Sequence, residues 1–153
     1  MYADFIELNG DLPGEMHAYL GGKFTFWERI KSGGTGSPKL VYCAGNSLLD
    51  VAADMNPDLN FSNIELFPNG LVIRLYKVNK MVAVAIRKEE IQSINTYSEI
   101  LHPGANYFNI KLKAPNRTQQ ITFEVLANAE RPFTRFLKHA WFKCFQIEHL
   151  QMI

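Results

Sequence analysis

Between Phe61 and Val125 apolar residues recur at every second position; beyond Arg131 they recur every three or four. This change of period constrains the fold most, because a repeat of two belongs to strands and a repeat of 3.6 to a helix. In Phe61–Phe67 the alternating set is Ile64 and Leu66. In Leu71–Tyr76 it is Leu71, Ile73 and Leu75, and in Met81–Ile86 it is Val82, Val84 and Ile86. Ile91–Tyr97 is patterned more weakly. Tyr107–Lys113 aligns Phe108, Ile110 and Leu112, and Gln119–Val125 aligns Ile121, Phe123 and Val125. The connections are turn-forming or polar: Pro68-Asn69-Gly70, Lys77–Lys80, His102–Asn106 and Ala114–Arg117. Pro sets φ early in a turn, and Asn and Gly tolerate positive φ. Short strands joined by short turns predict an antiparallel meander.

The longer period predicts one helix over about 131–149. At 100° per residue, Phe133, Phe136, Leu137, Ala140, Trp141, Cys144 and Ile147 share a broad apolar stripe. Pro132 falls where a first helical turn tolerates it. Cys144, inside the stripe, reads as a small buried hydrophobe rather than a reactive thiol. The expected fold class is therefore α+β and mainly β. A twisted meander curls into a sandwich or open barrel, closed by a C-terminal amphipathic helix.

The first 60 residues are less regular. Asp11 caps a short helical turn through Ala18–Leu20, stopped by Gly21-Gly22. Lys23–Ile30 reads as a strand, because Phe24, Phe26, Glu28 and Ile30 alternate. Lys31–Lys39 is a Gly- and Ser-rich loop, Leu40–Cys43 a short strand, and Ser47–Met55 a short helix. A chain of 153 residues suits one domain. Residues 60–150 form its core, and 1–59 read as an extension or as added strands.

The phrases Ile64-Glu-Leu-Phe-Pro-Asn-Gly-Leu-Val-Ile-Arg and Val82-Ala-Val-Ala-Ile-Arg-Lys-Glu-Glu-Ile-Gln-Ser-Ile carry a resemblance. So does the spacing of Ile86, Ile91 and Ile94, followed by two strands and a helix. Over about residues 60–150 the chain resembles the bacterial pleckstrin-homology-like families. The resemblance implies a scaffold that binds lipid, peptide or itself, and seldom an enzyme. Lipid-binding members usually carry basic residues in the first hairpin loop. Here that loop is Pro68-Asn69-Gly70, with no cation, which argues against phosphoinositide binding.

Sixteen basic and fifteen acidic residues give a net charge of +1. A dedicated nucleic-acid binder is usually far more basic. The charge is uneven: residues 1–60 hold 4 basic and 8 acidic side chains, leaving 12 and 7 for the remainder. The longest aliphatic run, Met81–Ile86, is far short of the ~20 residues of a membrane helix. The first residues show no basic leader or apolar signal run, so a cytoplasmic protein is expected.

Catalytic chemistry finds little support. Gly22-Lys23 lacks the upstream glycine of a phosphate loop. His17, His102, His139 and His149 form no metal-binding spacing, and Cys43 and Cys144 form no Cys-x-x-Cys. No metal, no cofactor and no catalytic residue is expected, and the chain reads as a non-enzyme. One feature departs from a plain scaffold. On the 131–149 wheel Phe142 lies about 180° from the stripe, among Arg135, Lys138, His139 and His149. An aromatic among cations suits a protein interface, including self-association into a homo-oligomer, and also an anionic membrane. The alternative is that the acidic N-terminal segment, with Tyr2, Phe5, Ile6 and Leu8, covers Phe142. Lys77 and Lys80, in a hairpin connection, are a second candidate lipid or anion contact. The third reading is a small-ligand carrier or enzyme with a pocket between sheet and helix.

Overall fold

The computed structural model describes residues 2–7, 11–54, 60–77, 80–113 and 119–152. Its nine strands are β1 (Tyr2–Glu7), β2 (Leu40–Ala44), β3 (Phe61–Phe67), β4 (Gly70–Tyr76), β5 (Lys80–Arg87), β6 (Ile91–Glu99), β7 (Asn106–Leu112), β8 (Gln119–Val125) and β9 (Glu148–Met152). Four α-helices accompany them: α1 (Gly14–Tyr19), α2 (Phe26–Lys31), α3 (Ser47–Asp54) and α4 (Glu130–Leu137). The fold is α+β and mainly β. The expected turn at Ala114–Arg117 lies outside the described residues.

The sheet order is β1-β5-β4-β3-β2-β8-β7-β6-β9. Two meanders, β3-β4-β5 and β6-β7-β8, are joined through β2, which pairs antiparallel with both β3 and β8. The edges, β1 and β9, do not meet, so the sheet stays open. Curling brings the two meanders face to face. Ile64, Leu66, Ile73, Val84 and Ile86 from one share a core with Ile94, Phe108, Ile110, Ile121 and Phe123 from the other. These are the inward positions of a period-two pattern, which is why this pairing register holds. The N-terminal third is built into the sheet: β1 pairs with β5, and β2 fills the gap between the meanders.

The outer face of β4 and β5 is buried as well. Val72, Met81, Ala83 and Ala85 pack against Leu12, Met16 and Leu20 of the α1 segment. The α1 part of the N-terminal cover thus lies over β4 and β5, while the side chains of Tyr2, Phe5, Ile6 and Leu8, which were to cover Phe142, lie outside the described residues. Tyr19 fastens it, its hydroxyl 2.7 Å from each carboxylate oxygen of Glu90 and its ring under the Arg87 guanidinium. After β2, Gly45 adopts φ +118°, and a Cβ there would lie 1.8 Å from the carbonyl oxygen of Gln120. No other residue fits that approach without moving β8.

Asp11 does not cap α1, which has Pro13 at its N-cap and no side-chain cap. Two further elements differ from the expectation. Lys23–Ile30 is not a strand: α2 starts at Phe26, capped by the Thr25 hydroxyl, which accepts from the Glu28 N–H at 3.2 Å. The second is the long C-terminal helix, which breaks after two turns. Arg135 and Phe136 carbonyls accept at the Lys138 cap, and His139 then turns extended with φ −57° and ψ 140°. A 3-10 turn follows at Ala140–Cys144, and the chain ends its described part as β9, parallel to β6. The break lets the Trp141 indole donate to the Phe67 carbonyl at 2.8 Å, a buried bond that a continuous helix would not aim. It also leaves Cys144 exposed, not buried.

Candidate functional site

Phe142 lies inside the protein. It is 3% exposed and makes edge-to-face contacts with Phe136 and Trp141, ring centroids 5.1 and 5.0 Å away. Its placement on an outer face is therefore corrected. The helical wheel failed because the helix stops before reaching it. Arg135 and Lys138 are exposed, as an outer face requires, but without the aromatic that was to join them.

An exposed group of aromatics beside cations exists elsewhere, on α2. Phe26, Trp27 and Ile30 are 63%, 69% and 55% exposed, and no residue of this helix is buried. The Phe26 and Trp27 rings meet edge to face at 5.5 Å, so the ridge is partly ordered by its own packing. Arg29 and Lys31 are exposed on the same short helix. Among the described residues no acceptor takes the Trp27 indole N–H.

The ridge stands on a fixed base. On its N-terminal side Phe24 packs on the main core and against the His139 ring at 5.7 Å. Behind it the helix stops where Ser32 donates to the Glu28 carbonyl at 2.8 Å, and Gly33 and Gly34 take φ +75° and +103°. Those two left-handed positions turn the chain at once, where a Cβ would be strained. The chain then ties to β3: the Leu66 N–H donates to the Thr35 carbonyl at 2.8 Å and the Ser37 N–H to the Ile64 carbonyl at 2.7 Å.

The α2 base and α4 meet across a small groove of about 130 Å³, with Gly33, Gly34 and Pro38 on one wall and Arg135, Phe136 and His139 on the other. This contact brings Arg135 beside the C-terminal end of α2. Arg135 thus adds a cation on the α2 side of α4, and exposed Lys138 follows at the α4 C-cap. His139 is pushed below its usual pKa by burial first and by the neighbouring Lys88 charge second. Its neutral Nδ1 accepts the Trp141 N–H at 3.0 Å.

Lys77 and Lys80 are not brought to this surface as a pair. Lys77 is half-buried and donates to the Asn60 side chain at 2.7 Å. Lys80 pairs with Glu7 in the β1–β5 register, and its side chain lies outside the described residues. Sequence reasoning missed α2, although a signal was present. Thr25-x-x-Glu28 has the spacing of a helix-start signature, which outweighs a four-residue alternation with no strand partner. Neither protein-family models nor curated proteins give a match to this chain.

Proposed function

We propose that this protein is a non-enzymatic interaction module that docks through the α2 ridge onto a protein partner. The partner's surface is an apolar cleft with an acidic rim. The ridge supplies Phe26, Trp27 and Ile30, and the rim meets Arg29, Lys31, Arg135 and Lys138. The observation that carries the reading is the exposure of three large apolar side chains on one helix that buries none of its residues. Soluble domains rarely leave such a cluster in water unless something covers it in use. Trp and Arg are also the residues that most often dominate binding energy. The resemblance to pleckstrin-homology-like scaffolds agrees with a binding role. A cytoplasmic setting belongs to the same proposal and is supported by two free, exposed cysteines.

The test is a photo-crosslinking residue at position 27 in the expressing cell, with the same residue at exposed Gln92 as control. A partner trapped only from position 27 is then purified. Trp27→Asp is expected to weaken its measured affinity by about 100-fold, the loss of a central hot spot. Unchanged affinity overturns the proposal. A second reading, attachment to an anionic bilayer, is favoured by one observation: the most exposed ridge side chain is a Trp on a helix that also carries exposed Arg29 and Lys31, beside a single Glu28. Salt-sensitive binding to phosphatidylserine vesicles that Trp27→Asp abolishes selects it.

A further inference from the structure

On another side of α4 lies a cavity of about 480 Å³, walled by the ends of β6 and β7, by α4 and by β9. Its size falls within the ~300–1,000 Å³ typical of small-molecule sites. Its floor is apolar, with Phe133 and Leu137 of α4 and Leu150 of β9 among the lining side chains. The charge of the lining is one-sided. Glu130 lines the cavity, and among the described residues neither Lys nor Arg does.

Glu130 is held in place by Asn106, whose side-chain amide donates to one carboxylate oxygen. Its second oxygen has no partner among the described residues. Tyr97 and Tyr107 also line the cavity and stack at 4.7 Å, with their planes 16° apart. Burial raises the pKa of both hydroxyls, and Glu99 adds to it in each, with Glu124 contributing at Tyr107. The second effect marks negative potential around the pair. His149, the other titratable lining residue, is engaged through Nδ1 with the Thr96 hydroxyl at 2.5 Å.

We propose that this cavity binds a small organic amine in its cationic form. The apolar body lies on Phe133, Leu137 and Leu150, and the ammonium group is held by the second Glu130 oxygen. The walls supply what such a ligand needs: apolar contact, one carboxylate and nearby aromatic rings. An anion of the same shape meets only repulsion from Glu130.

The probe is phenethylamine, compared with neutral 2-phenylethanol and anionic 3-phenylpropionate by calorimetric titration of the full chain. Saturable amine binding is expected, with the alcohol weaker by about 10-fold, the cost of one lost charge-assisted hydrogen bond. Glu130→Gln removes that preference and leaves the alcohol's affinity unchanged. Thr134→Trp, at an exposed lining position, fills the space and weakens both ligands in a protein that stays folded. Three results overturn the proposal: 3-phenylpropionate binding as tightly as the amine, an amine preference that survives Glu130→Gln, or no saturation by any probe at millimolar concentration.

Discussion

Two aromatic pairs of nearly the same chemistry have opposite fates in this chain. Phe26-Trp27 and Trp141-Phe142 both sit on short helical turns. The first pair is 63% and 69% exposed, and each member of the second only 3%. The difference lies in what precedes them and in whether the indole finds an acceptor. Trp141 and Phe142 follow α4, whose Phe133 and Phe136 are already in the core, and the Trp141 N–H reaches the Phe67 carbonyl. Phe26 and Trp27 are set off between Gly21-Gly22 and Gly33-Gly34, with positive φ at all four glycines. Composition of a pair does not decide burial, since Phe24 anchors the exposed pair on the core as well; whether the rings and the indole N–H themselves find partners in the fold does.

Removing Phe142 breaks the comparison most severely. Phe142→Ala opens a cavity among Phe136, Trp141 and the core, and is expected to cost about 3–5 kcal/mol. Chemical denaturation checks this. A loss below about 1 kcal/mol would mean that Phe142 is not packed as described. That cost would take a large share of the ~5–15 kcal/mol that holds a domain folded.

Much of the architecture was legible in the sequence. The strands from Phe61 to Val125 follow period two closely, because each has one face on a shared core and short turns fix the register. Ile64, Ile86 and Phe108 fall on the core face where the pattern puts them, while Gly70, expected in the turn, opens β4. The C-terminal break was not legible, because the Phe133-to-Ile147 stripe fits a helix equally well whether or not it stops. What stops it is in part tertiary: the Trp141–Phe67 hydrogen bond holds the next turn in place, while locally His139 caps that turn by accepting from the Trp141 N–H. Residues 74 positions apart cannot be paired by a helical wheel. The same limit explains the candidate site. Arg135 and Lys138 were found by their exposure on α4, but their nearest aromatic ridge, on α2, is remote in sequence. A pocket between sheet and helix is one reading of the sequence, but its Glu130 is not, since Asn106 and Glu130 meet only across β7 and α4, and His149 joins them only when β9 returns beside β6.

The buried pair is also sensitive to pH, which sharpens the comparison at intermediate size. The His139 pKa is lowered in the folded protein from an ordinary 6.5. Below that value the unfolded chain takes up a proton more readily than the folded one. Stability is therefore full above about 6.5 and falls as pH drops through that region and below it. His17, lowered mainly by burial and then by Lys23, acts in the same direction. Denaturation midpoints are expected to fall between pH 7.5 and 5.5. His139→Gln, which keeps a hydrogen-bond acceptor and cannot titrate, is expected to reduce that fall. An identical slope in the variant would show that protonation of His139 does not oppose the Trp141 turn.

The smallest effect on stability is expected from the exposed pair, and the contrast with Phe142 makes it informative. Replacing Phe26, Trp27 and Ile30 together by Ser removes more apolar surface than Phe142→Ala does. Most of that surface is already in water in the folded state, so little burial is lost on folding. Each substitution is expected to change stability by no more than about 0.5 kcal/mol. The Thr25 cap and the two glycine turns keep the helix start and stop that do not depend on those side chains. A loss of several kcal/mol in the triple variant would mean that the ridge is covered by the chain itself, leaving no free surface for a partner. A variant as stable as the parent, with partner or vesicle binding gone, separates the two aromatic pairs by role: Trp141-Phe142 holds the fold, and Phe26-Trp27 is kept exposed for contact.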